Sequence, residues 1–147
     1  MTIDSNAAMK LVENAMELQK AKWADVDSSG RLVIDGAARP IKMCNSDGTG
    51  YPLFTAGGFG ADIIRFAANE RVMNHTHEGD HILFVLKGQG VVEFDGVEYE
   101  LYPGLAYFVP GMVDHAIRAA EDLVLIAVGN NHQPLDSQAR MTPIFKQ

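Results

Sequence analysis

Cysteine and tryptophan each occur once in the 147 residues, histidine five times, and Lys plus Arg only twelve times against nineteen Asp plus Glu. Each scarcity excludes something. A single Cys44 closes no internal disulfide, so nothing implies an oxidising compartment, and it reads as a small buried or loop residue rather than a catalytic thiol. The formal net charge of −7 repels phosphate backbones and anionic headgroups, which argues against nucleic-acid and membrane partners. No apolar run approaches the roughly 20 residues that span a bilayer. Asp4, Lys10, Glu13 and Glu17 interrupt the stretch where a signal peptide needs an apolar core, so a soluble cytoplasmic protein is expected. The length fits one domain of about 100–200 residues, and 47% hydrophobic with 21% charged residues fits a globular chain rather than a disordered one.

The first segment predicts a helix over about residues 5–23. Ser5 or Asn6 caps it, and Ala8, Leu11, Val12, Ala15 and Met16 recur at helical spacing. From Asp25 the helical period is lost, and short β-branched and aromatic runs alternate with Gly, Pro, Asn and Asp, the pattern of an all-β barrel or sandwich. Ten strands are expected: Leu32–Ile34, Ile41–Cys44, Ala61–Phe66, Arg71–Asn74, Ile82–Leu86, Gly90–Phe94, Val97–Leu101, Ala106–Val109, Ala116–Ala119 and Leu123–Val128. Asp95-Gly96 between two of them is a two-residue hairpin signal, because a type I′ turn needs positive φ at both central positions. Gly48-Thr49-Gly50 and Gly57-Gly58-Phe59-Gly60 lack the Lys and the following helix of a phosphate cradle, and read as a loop with a strand-entry bulge. The expected organisation is one domain over 1–147: helix, barrel over about 30–128, and a polar tail, 129–147, wrapping over the surface.

Four of the five histidines lie within 41 residues. His75 and His77, two apart, share one face if the segment is a strand. His81 follows a short polar turn and opens the apolar run Ile82–Leu86, and His115 follows Pro110-Gly111-Met112-Val113-Asp114, again at the mouth of a β run. Imidazole nitrogen binds transition metals at about 2.0–2.2 Å, and a mononuclear site needs three or four such groups converging. A metal site is the expectation. Tail residue His132 reads as structural.

His75-Thr76-His77-(three residues)-His81-(six residues)-Gly88 resembles the first motif of the cupins, and Gly104-(five residues)-Pro110-(four residues)-His115 resembles the second. The resemblance covers roughly residues 60–128. It implies a double-stranded β-helix, or jelly-roll barrel, with a metal held inside by both motifs. Three positions depart from the pattern: His81 replaces the usual Glu, Met112 the usual Gly two after the Pro, and Ala119 the final Asn. The spacing is similar to that of small four-histidine cupins, typically manganese-bound, which makes His75, His77, His81 and His115 the implied ligands. His81 has a competing role outside the ligand set, in acid–base chemistry. The implied cofactor is one divalent transition metal per chain, with manganese or iron favoured over zinc, nickel or copper. A homodimer is implied as well.

Four neutral imidazoles leave the ion its full +2 charge, where a three-His, one-Glu set leaves about +1. The more positive centre is the stronger Lewis acid and favours anionic ligands. Alternation from His81 and His115 turns Leu83, Val85, Ile117 and Ala119 inward, with Val109 and Tyr107 beside them. Tyr107 is then a candidate catalytic hydroxyl near the metal, with His81 as a second catalytic candidate. Asp80 and Asp114 are candidate acceptors for imidazole N–H groups, and Arg65, Arg71 and Arg118 candidate anchors for an anionic substrate at the rim. Three functions compete: a dioxygenase-like oxidoreductase acting on a small oxygenated molecule that chelates the metal, a non-redox lyase, isomerase or cyclase working through an enolate, and a small-ligand-binding protein without turnover. The first is the leading expectation.

Overall fold

The structure, a computed structural model, describes residues 17–34 and 40–145. Thirteen strands are formed by these residues: β1 (Asp25–Val26), β2 (Leu32–Val33), β3 (Ile41–Lys42), β4 (Thr49–Ala56), β5 (Phe59–Phe66), β6 (Arg71–Thr76), β7 (His81–Lys87), β8 (Gly90–Phe94), β9 (Val97–Leu101), β10 (Ala106–Val109), β11 (His115–Ala119), β12 (Leu123–Gly129) and β13 (Thr142–Pro143). A six-stranded sheet runs in the order β10-β7-β12-β5-β4-β3 and a five-stranded sheet in the order β13-β6-β11-β8-β9, while β1 and β2 pair separately. The fold is all-β, a two-sheet jelly roll.

Alternation decides which side chains lie between the sheets. On β7, Leu83 and Val85 are buried while Ile82 and Phe84 face out; on β11, His115, Ile117 and Ala119 are buried while Arg118 faces out. Ile64, Phe66 and Leu125 from one sheet meet Val72, Val92 and Ile117 from the other in a single core. Full burial of a side chain such as Phe66 or Leu125 stabilises the fold by about 1.5–3 kcal/mol. The predicted turn at Asp95-Gly96 forms, with φ of 48° and 83° and with Phe94 opposite Val97.

Three expectations need correction. Most of the predicted helix lies outside the described residues, and residues 17–24 before β1 carry no helix. The glycine-rich stretch is a hairpin rather than a loop: β4 pairs with β5 along its length, Gly57 and Gly58 make the turn at φ of 56° and 85°, and Pro52 stands at a register shift, where its missing N–H is tolerated. The tail does not simply wrap over the surface. Leu135, Arg140 and Met141 are buried, a single 3₁₀ turn covers Gln138–Arg140, and β13 pairs with β6, Pro143 opposite His75.

Candidate metal centre and its access cleft

Three strand ends bring the histidines together. His75 is the last residue but one of β6 and the direct ladder partner of His115, which opens β11, and their rings stand 4.1 Å apart. His77 lies one residue beyond β6, and its ring is 4.7 Å from that of His115 and 4.2 Å from that of His81, the first residue of β7. A register shift between β6 and β11 beside His115 bends the ladder locally. Asn74 donates to Asp114 at 3.0 Å, tying the two histidine-bearing segments.

Backbone carbonyls fix the ring tautomers. Nδ1 of His75 bonds the Met73 carbonyl at 2.7 Å, Nδ1 of His77 the Gly79 carbonyl at 2.8 Å, and Nδ1 of His115 the Val113 carbonyl at 2.8 Å. A carbonyl oxygen only accepts, so each Nδ1 carries the proton and each Nε2 keeps a bare lone pair. The aspartates expected in this role do other work: Asp80 accepts from the Gly111 N–H at 2.8 Å and holds the loop, and Asp114 accepts from Asn74.

Nε2 of His77 and Nε2 of His115 face each other at 3.1 Å, so two acceptors point at one spot. A proton between them would relieve the repulsion, but burial opposes it. Desolvation pushes His75 down to about 4 and His115 to about 2, and lowers His77 as well. The rings stay neutral near pH 7, ready to bind an ion. A divalent transition ion fits: ligands at about 2.0–2.2 Å in adjacent octahedral positions stand about 2.8–3.1 Å apart. The ligand nitrogens of His75, His77 and His115 lie within 4.8 Å of one another. His81 is beside this trio rather than within it. Its ring packs on Gly129, where any Cβ would run into it, and burial pushes it down to about 3.

Two connected spaces surround the histidines. An inner chamber of about 40 Å³ is lined by all four, with Leu83, Arg140 and others, and an outer cleft of about 260 Å³ shares His77, His81, Arg140 and Met141 with it. The tail covers the cleft and is latched from beneath. Asp62 of β5 accepts from Nη1 of Arg140 at 2.8 Å, and the same carboxylate oxygen lies 2.6 Å from Nε2 of His132. That second contact is close but poorly aligned, so it is not a directed hydrogen bond. Met112, in the motif position usually held by Gly, has φ of 67°, and its N–H donates to the His77 carbonyl at 2.7 Å. That left-handed conformation costs a non-glycine residue about 1 kcal/mol.

The other sequence candidates lie elsewhere. Tyr107 faces inward but lines a separate cavity of about 600 Å³ between β9 and β10, and is not among the residues lining the histidine spaces. Its hydroxyl is buried without a hydrogen-bond partner, and burial pushes its pKa up. Arg65 forms a two-pronged pair with Asp122, both contacts at 2.8 Å, and Arg71 and Arg118 line a shallow depression with Glu93 and Glu98. The arginine at the centre is Arg140, which sequence reasoning missed. Leu135 and Met141, apolar residues in a largely polar tail, were a signal that this segment is buried.

Residues 62–129 match the cupin domain family. A region of 67 residues is 30% identical to dimethylsulfoniopropionate lyase DddW of Ruegeria pomeroyi, covering 46% of this chain and 44% of that one. The chain therefore spans less than half of that relative's length. Among solved structures, the polyketide cyclase RemF of Streptomyces resistomycificus superposes with a TM-score of 0.62 at 19% identity, covering 74% of this chain and 81% of the other. An RmlC-like cupin from Shewanella frigidimarina gives 0.60 at 20%, covering 79% and 96%. The family match covers just under half of this chain, and the solved structures share its fold. Among the described residues the group able to hold a metal is His75, His77 and His115, and no helix is long and apolar enough to cross a membrane.

Proposed function

We propose that this chain, a cupin in its fold and in its matched domain, is a metal-dependent enzyme acting on a small oxygenated organic molecule by non-redox lyase, isomerase or cyclase chemistry. The observation that carries the metal is the pair of unprotonated Nε2 atoms of His77 and His115 at 3.1 Å, with Nδ1 of each already committed to a carbonyl. His75, His77 and His115 would hold the ion. When bound, it would supply Lewis-acid stabilisation of negative charge developing on a substrate oxygen. The chain's own residues do the rest. Met73, Gly79 and Val113 orient the rings through their carbonyls. Leu83, Ile117 and Met141 keep the chamber poor in water, which strengthens electrostatic contacts inside it. His81, neutral and beside His77, either completes the ligand set or moves a proton between substrate and cleft.

The similarity of residues in the matched region to a lyase favours the non-redox reading over the dioxygenase expected first. Tyr107 is left out of the proposed chemistry because it lines another cavity. A small-molecule partner, a cytoplasmic location and a homodimer remain part of the proposal. The test is metal content of the purified chain together with O₂ uptake during turnover of candidate oxyacids. One divalent transition ion per chain and substrate loss without O₂ consumption are expected. O₂ consumed in step with substrate would overturn the non-redox assignment, and a chain unable to hold any such ion would overturn the metal.

A further inference from the structure

We infer that Arg140 is the anchor for a substrate carboxylate, which narrows the substrate class to small carboxylic acids whose oxygen functions lie next to that carboxylate. The inference rests on the reading of the histidine trio as a metal centre, since it places the carboxylate beside that trio. Arg140 is only 7% exposed, yet it lines both the inner chamber and the outer cleft. A guanidinium buried this far needs its donors met by acceptors or left facing a cavity that a ligand can enter.

Its hydrogen bonds are unevenly spent. Both run from Nη1, one to Oδ2 of Asp62 at 2.8 Å and one to the Gln133 carbonyl at 2.9 Å. Nη1 has two hydrogens, so these bonds exhaust it. The opposite edge, formed by Nε–H and Nη2–H, has no hydrogen-bond acceptor among the described residues and is not sealed away as a buried unpaired group. That edge is the planar fork whose two parallel donors match the two oxygens of a carboxylate. Asp62 and the Gln133 carbonyl hold the group from behind, so little side-chain freedom is lost when a ligand arrives.

The surroundings suit one negative charge. Asp62 already pairs with Arg140 in the metal-free chain. A divalent ion held by neutral imidazoles then leaves an excess of positive charge, which a monoanion reduces. The cleft of about 260 Å³ limits the ligand to a small molecule. Arg65, Arg71 and Arg118 offer no comparable group, because none lines either histidine space.

The experiment compares pyruvate with methyl pyruvate, the same skeleton with and without the charge, by calorimetry on metal-loaded and metal-free protein. Arg140→Gln alone would strand a buried Asp62, so the working variant is the Asp62→Asn/Arg140→Gln pair, with Arg140→Lys as the conservative partner that keeps the ion pair and loses the fork. Wild-type chain should bind the acid about tenfold or more tightly than the ester, as a charge-assisted bidentate pair requires. The preference should vanish in the folded double variant and be only partly kept in Arg140→Lys, whose thermal midpoint stays near wild type. Equal binding of acid and ester by wild type, or undiminished preference in the folded double variant, overturns the anchor. A preference that depends on Arg140 in a chain that holds no metal would uphold the anchor and sink the metal reading instead.

Discussion

Two cavities open between the same two sheets, and the smaller one gathers the convergent donor atoms. The space between β9 and β10 measures about 600 Å³ and is walled by Phe94, Tyr99, Tyr102 and Phe108, with one buried polar atom, the Tyr107 hydroxyl, left without a partner. The histidine chamber measures about 40 Å³ and its cleft about 260 Å³, yet the ring N–H of each trio member already has a carbonyl and the opposite nitrogens converge. Volume is what packing leaves over. Convergent lone pairs, held in place by satisfied hydrogen bonds, have to be built.

That contrast can be broken by mutation. The largest effect is expected from His75→Ala or His115→Ala, either of which should reduce bound metal from about one ion per chain to near zero by elemental analysis, whereas Tyr107→Phe should leave the metal content unchanged. Loss of metal in Tyr107→Phe would erase the distinction between the cavities. Next in size is Gly129→Ala. Its methyl group would enter the space of the His81 ring, so a cost of about 1–3 kcal/mol in urea unfolding and a displaced His81 ring signal are expected.

The third prediction concerns pH. Burial holds His75 at about 4, against 6.5 for an exposed histidine. Between those values the unfolded chain takes up a proton that the folded, metal-free chain refuses, so acid favours unfolding. Stability present above pH 6.5 should fall as the pH drops toward 4, with His81 and His115 acting in the same direction. A urea midpoint that stays flat from pH 7 to 4.5 in metal-free protein would contradict this. The smallest effect belongs to the other cavity. Tyr107→Phe removes a buried hydroxyl with no partner and should stabilise the fold by roughly 1 kcal/mol.

Local patterns carried most of what the sequence revealed. Alternation on β7 and β11 put Leu83, Val85 and Ile117 inside, and the positive φ demanded by a two-residue hairpin was met by Asp95-Gly96. His75, His77 and His115 were legible for the same reason, since turns deliver them to strand ends at fixed offsets. What escaped depends on contacts between distant residues. Asp62 and Arg140 are 78 positions apart and meet only because β13 returns the tail to β6. Gly and Pro in β4 have the composition of a loop, but pairing with β5 along the strand outweighs that local preference. The acceptors for the imidazole N–H groups went unrecognised because they are backbone carbonyls, which no side-chain alphabet spells out. Tyr107 was rightly turned inward, but inward near the open edge between β9 and β10 leads to a different space.

The pairing of β13 with β6 also sets an order of events. The segments bearing His75, His77, His81 and His115 all precede residues 132–143 in the chain. During synthesis from the N-terminus the residues that wall the histidine cup are therefore made before those that cover it. Once Arg140 reaches Asp62 and β13 pairs with the strand carrying His75, the tail completes the wall of the cleft beside the histidines.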